Sequence, residues 1–140
     1  MPTVERTEIY NTTPELFYKV ITDYNSYPEF VDGVSEIKIL SQKGDSLEVQ
    51  FDLNLIKTFS YILQMKQTPN KKVEWSLKSG DIFKHNNGSW KLKDLGNGKT
   101  EVTYSIDVDF KGFVPKMLVN KLVSSNLPSM MQSYFKRAGK

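Results

Sequence analysis

From Val34 to Phe110 the side chains alternate between apolar and polar with a period of two. A half-buried β-strand has that period and a helix does not. The cleanest stretch is Ser46–Leu53, where Leu47, Val49, Phe51 and Leu53 alternate with Glu48, Gln50 and Asp52. Val34–Leu40 precedes it. Thr58–Gln67 follows, with Phe59, Tyr61, Leu63 and Met65 on one side. Val73, Trp75 and Leu77 form the next set, then Trp90 and Leu92, then Val102, Tyr104, Ile106, Val108 and Phe110. The connections are short: QKGD, TPNKK, SGD and the hairpin signal Asn97-Gly98. Six strands so joined predict an antiparallel meander with one wet face and one apolar face.

An apolar sheet face needs a cover, and helical signals flank the meander on both sides. Thr3–Tyr10 reads as a first short strand. Then Thr13 is a good N-cap, Pro14 suits the first helical position, and Glu15 favours the helix dipole. Leu16, Phe17, Val20 and Ile21 recur at helical spacing, which predicts a helix over 13–22. The segment DYNSYPEFVDG, with Pro28 and Gly33, reads as a turn or a second short helix. After Gly112 helical spacing returns through Val114, Met117, Leu118, Lys121, Leu122 and Ser125, and continues in Met131, Tyr134 and Phe135. Pro128 lies inside that run and predicts a kink. The expected architecture is α+β: a curved antiparallel sheet of about seven strands around a long C-terminal helix.

At 140 residues the chain is expected to form a single domain over 1–140. A chain this size buries roughly 68% of its unfolded surface, so a core forms without staples. It has no cysteine, which excludes disulfides, thiol nucleophiles and iron–sulfur clusters. One histidine, His85, excludes a multi-histidine metal site, and no metal or other cofactor is expected. The KHNNGS segment around His85 reads as a surface loop. The N-terminal MPTVERTEIYN lacks the apolar run of about 7–15 residues that a signal peptide needs. A cytoplasmic location is therefore expected, with a peripheral position on the inner face of a membrane as one form of it.

The formal charge of +3 conceals an asymmetry. Residues 1–52 carry 10 acids and 4 bases, whereas 53–140 carry 6 acids and 15 bases. Residues 110–140 hold six bases and no acid. A basic surface is expected from Lys111, Lys116, Lys121, Lys136 and Arg137, with Lys140 beyond them. Such a helix suits an anionic membrane or RNA, and equally a solvated face. No RNA-binding signature with interleaved aromatics is evident, and no DNA partner is expected.

Three stretches carry a family resemblance. TPELFYKVITDYNSYPEFVDGVSEIKIL combines a Pro-Glu helix start, an Asp, Tyr-Pro-x-Phe and a Val before the second strand. GDIFKHNNGSWKLKDLGNGKTEVTY contains Gly-x-x-Phe, Gly-x-Trp and Gly-x-Thr-x-Val. NLPSMMQSYFKRA fits the end. Together they resemble the START-like, or helix-grip, superfamily, in its polyketide cyclase/dehydrase and lipid-transport branch. Within it the chain is most similar in look to coenzyme-Q-binding START-like proteins and to the ribosome-association toxin group. The resemblance implies a hydrophobic cavity for a polyprenyl quinone or similar lipid. It carries over no catalytic residue.

The inward stripe supplies the candidate cavity: Phe51, Leu53, Phe59, Tyr61, Leu63, Trp75, Trp90, Tyr104, Ile106 and Val108, with Met117, Leu118 and Leu122 opposite. A plain packed core makes the same stripe, so pattern alone leaves both open. Tyr61 and Tyr104 can offer hydroxyls to a carbonyl or head group. Leu55 and Ile56, beside Lys57, and Phe113 and Val114 are candidates for a mouth or gate. In this register Glu48, Asp52, Glu74, Asp107 and Asp109 point outward, which leaves acid–base chemistry mainly to tyrosines. Non-enzymatic binding of a quinone, fatty acid or other lipid, as carrier or chaperone, is therefore the expected function. The alternatives are a polyketide aromatase/cyclase-type enzyme and a ribosome or protein interaction module using the basic helix.

Overall fold

A computed structural model describes residues 3–31, 34–54, 58–112 and 127–138. Seven strands form one antiparallel sheet: β1 (Thr3–Tyr10), β2 (Val34–Lys43), β3 (Ser46–Asn54), β4 (Thr58–Thr68), β5 (Lys72–Gly80), β6 (Phe83–Gly96) and β7 (Lys99–Phe110). Their spatial order is β1-β7-β6-β5-β4-β3-β2, so the meander predicted from period two is continuous and β1 completes its far edge. The hairpin between β6 and β7 turns on Asn97 and Gly98, with φ of 56° and 73°. Two positive φ values in succession are what a type I′ turn requires, and Asn-Gly supplies them at least strain.

Helix α1 (Pro14–Ile21) starts where its cap predicts, with Leu16 N donating to Thr13 Oγ1 at 3.3 Å. Phe17 and Ile21 are fully buried, whereas Leu16, grouped with them by spacing, is exposed. A 3₁₀ turn (Tyr24–Ser26) and the short α2 (Tyr27–Phe30) follow, as Pro28 predicts. The C-terminal α3 (Leu127–Ala138) buries Met131 and Tyr134. The helical run expected before Leu127 lies outside the described residues, and Pro128, where a kink is expected, is the second residue of α3.

The core is continuous across the sheet and both long helices. Tyr10 of β1 stacks on Phe17 of α1 and on Phe135 of α3, with ring centroids 5.9 and 4.6 Å apart. Phe51 and Tyr61, directly paired across β3 and β4, lie parallel at 5.3 Å. Thr100 is fully buried because its hydroxyl donates to Thr12 O at 2.6 Å, which ties the approach to α1 to β7. The outer sheet face carries ion pairs instead, such as Lys78 with Glu48 and Lys72 with Glu74. Exposed pairs of that kind contribute only about 0–1 kcal/mol each.

One expectation fails. KHNNGS is not a loop: His85 lies within β6, opposite Asp109 of β7. Its Nε2 stands 3.5 Å from Asp107 Oδ2. His, Asn and Gly are poor strand formers locally, but the long ladder to β7 overrides that preference.

The ladder between β5 and β6 has an equally specific end. It runs from Lys72 opposite Lys91 to Trp75 opposite Gly88. Beyond that point the strands follow different neighbours: Gly80 pairs with Tyr61 of β4, and Phe83 pairs with Phe110 of β7. Gly88 sits at the divide because the Trp75 indole folds across it. A methyl there would overlap the indole and stand 2.5 Å from Ser105 O. A strand glycine commonly marks such a close approach. Gly88→Ala is therefore expected to destabilise the protein by about 1–3 kcal/mol. Chemical denaturation measures the loss, and a shift of the Trp75 indole N–H resonance would show that its cause is a displaced ring.

Candidate ligand cavity

Between the sheet and α3 lies a cavity of about 140 Å³. Eight of the residues expected on its wall are there: Phe51, Leu53, Tyr61, Leu63, Trp75, Trp90, Tyr104 and Ile106. Phe59 and Val108 are buried but belong to the packed core and not to the wall. Met117, Leu118 and Leu122 lie outside the described residues, as do Leu55 and Ile56, Phe113 and Val114, the expected gate. The stripe therefore does both things at once: part of it packs solidly and part of it bounds a space.

The remaining wall comes from residues whose site role sequence reasoning missed. Tyr27 and Val31 come from α2 and its end, Val34 and Met65 from β2 and β4, and Phe83 and Asn86 from β6. Met130 and Tyr134 come from α3, at the i,i+4 spacing that puts two side chains on one helix face. That spacing was a usable signal, and so was the place of Met65 in the β4 alternation. Asn86 had no such signal, because its strand reads locally as a loop.

Aromatic rings hold the wall in shape. Trp90 packs edge-on against Phe17 and Tyr104, at 5.6 and 4.7 Å, and against Tyr134 at 4.9 Å. Tyr134 meets Tyr27 and Phe30 in T-shaped contacts at 5.5 and 5.2 Å. Tyr61 meets Phe83 the same way at 5.0 Å. Such pairs add about 0.5–1.5 kcal/mol each beyond the area they bury.

The polar groups of the wall are few and uncharged. The Tyr27 hydroxyl donates to Ile21 O and also meets the Tyr134 hydroxyl. The Trp75 indole N–H donates to Asn86 Oδ1 at 3.1 Å. Burial pushes the phenols of Tyr27, Tyr61, Tyr104 and Tyr134 above the usual tyrosine range. All four therefore stay protonated at neutral pH, able to donate or accept a hydrogen bond but not to act as bases. No Asp, Glu, His, Lys or Arg is among the described wall residues. Glu48, Asp52, Glu74, Asp107 and Asp109 stay off it, and Asp23 is exposed beside the 3₁₀ turn. No cluster of three or more acids or histidines suited to a metal ion occurs among the described residues.

The basic surface is partly committed elsewhere. Arg137 Nη2 donates to Glu29 Oε1 at 2.8 Å, and its guanidinium lies 5.2 Å from the Phe30 ring centre. Lys111 Nζ donates to Gly80 O at 2.9 Å, while Lys136 is exposed. Lys116 and Lys121 lie outside the described residues. No described helix is long and apolar enough to cross a membrane.

Known proteins resemble this chain along almost all of its length. The persistence and stress-resistance toxin PasT of Escherichia coli O6:H1 is 26% identical over 141 residues, covering 99% of this chain and 87% of that protein. The ribosome association toxin RatA of Escherichia coli K12 is 25% identical over the same coverage. Among solved structures, a START superfamily protein from Mycobacterium smegmatis superposes with a TM-score of 0.84 at 21% identity, covering 98% and 97% of the two chains. The Zhui aromatase/cyclase from Streptomyces sp. R1128 gives 0.73 at 16% identity, covering 99% and 86%. Those two likenesses establish the shared helix-grip fold. Residues 11–135 match the sequence pattern of one family throughout, and the chain belongs to that family, polyketide cyclase / dehydrase and lipid transport.

Proposed function

We propose that the protein binds an apolar small molecule in the cavity between sheet and α3, as a carrier or chaperone. The observation that carries this reading is the wall itself: aromatic and aliphatic, with a few neutral polar groups and no described charge. Binding sites for apolar ligands have that composition. The volume is that of a single ring, since an apolar cavity of about 150 Å³ admits benzene. It suits the ring of a quinone, whereas a polyprenyl chain needs more space. An aromatase/cyclase reading fits less well, because acid–base catalysis needs a group that titrates near the working pH. The described wall offers only phenols held in their neutral form.

Ribosome contact is the second reading. It rests on RatA, named as a ribosome association toxin and similar across 99% of this chain, and on the basic residues after Phe110.

Organic extraction of the purified protein followed by mass spectrometry tests the first reading. A stoichiometric apolar compound, released only on denaturation, is the expected result. An empty protein that also takes up no quinone or fatty acid from a screen contradicts it. The second reading expects the protein to pellet with ribosomes at moderate salt. Loss of that pelleting at low salt as well would remove it.

A further inference from the structure

One amide of the described wall faces the cavity, and its orientation is fixed. An indole N–H can only donate, so the atom of Asn86 that meets Trp75 Nε1 must be the carbonyl oxygen. The amide nitrogen is therefore turned the other way. Asn86 is only 3% exposed, and it lines the cavity. Among the described residues nothing accepts a hydrogen bond from its Nδ2. Nδ2 is thus a donor left free to serve a molecule in the cavity.

The position is built by its neighbours. Gly88 leaves room for the Trp75 indole, and the indole holds the Asn86 carbonyl. Asn86 itself is anchored opposite Val108 in the β6–β7 ladder. The Tyr61 and Tyr104 hydroxyls share the same wall, also without a hydrogen-bond partner among the described residues. The Asn86 Nδ2 can only donate, whereas each of the two hydroxyls can donate or accept. No described cation is present to neutralise an anion, and desolvating a carboxylate without one is unfavourable.

We propose that Asn86 is the specificity-determining residue of the cavity: its Nδ2 donates to an oxygen of an uncharged, ring-sized carbonyl compound. The cavity then prefers such a compound to a hydrocarbon of the same shape and to a carboxylate. This rests on the cavity being a binding site.

Three ring compounds separate the possibilities: ethylbenzene, acetophenone and benzoate, each titrated into the full chain at neutral pH and followed by NMR. Acetophenone is expected to bind about fivefold to tenfold tighter than ethylbenzene, the advantage of one net hydrogen bond. Benzoate is expected to bind more weakly than acetophenone. The Asn86 side-chain N–H resonances should move downfield with acetophenone and not with ethylbenzene, a readout that needs no variant. In Asn86→Leu the ratio of acetophenone to ethylbenzene affinity should fall to about one, whatever the absolute affinities. Equal binding of acetophenone and ethylbenzene by the native protein, an advantage that survives in Asn86→Leu, or benzoate binding as tightly as acetophenone would each overturn the assignment and leave the cavity as a binding site. Failure of all three compounds to bind would overturn the cavity reading, and this inference with it.

Discussion

Trp90 touches three elements at once. Its ring packs against Phe17 of α1, Tyr104 of β7 and Tyr134 of α3. A seven-stranded curved sheet presents more apolar surface than a single helix covers, so the face is sealed unevenly. Where Trp90 meets Phe17 the seal is solid, and Phe17 is fully buried. On its other side Trp90 borders the cavity with Tyr104, and with Tyr61 and Phe83, which meet edge-on at 5.0 Å. The cavity is a consequence of the same contacts that hold the helices down. Large flat side chains meeting at steep angles fill a curved face less completely than aliphatic ones would.

The chemistry of that space follows from the sheet's two faces. Period-two alternation sends Glu48, Asp52 and Glu74 to the outer side, where they meet Lys, Gln and Ser partners. What remains on the described inner wall is neutral. A neutral, mostly apolar wall attracts a ligand by burial and distinguishes it by hydrogen bonds, not by charge. The glycine at 88 matters more than its size suggests. It lets an indole cross the ladder between β5 and β6, and the indole turns the Asn86 amide of the wall.

Most of the architecture was legible in the residues because strong local signals agreed with the final fold. The alternation over Ser46–Leu53, the Thr13 cap and the Asn97-Gly98 turn each specify their element without help from distant contacts. Eight wall residues were legible for the same reason. Where legibility ended, long-range contacts decided. The strand through His85 and Asn86 forms only because β7 pairs with it, and a local reading of KHNNGS finds a loop. Phe59 and Val108 share the alternation of the wall residues but not their place, since alternation assigns a face and not a position along a curved one. Leu16 shows the same gap on a helix: spacing put it with Phe17 and Ile21, yet α1 packs by a narrower stripe.

The central claim is that an unfilled apolar space persists between the sheet and α3. A crystal structure determined under xenon pressure tests it most directly, because xenon enters dry apolar cavities and requires no specific chemistry. A xenon atom bounded by Trp75, Tyr104 and Tyr134 is the expected result. Side chains closing that space, with no xenon bound there, would contradict the account.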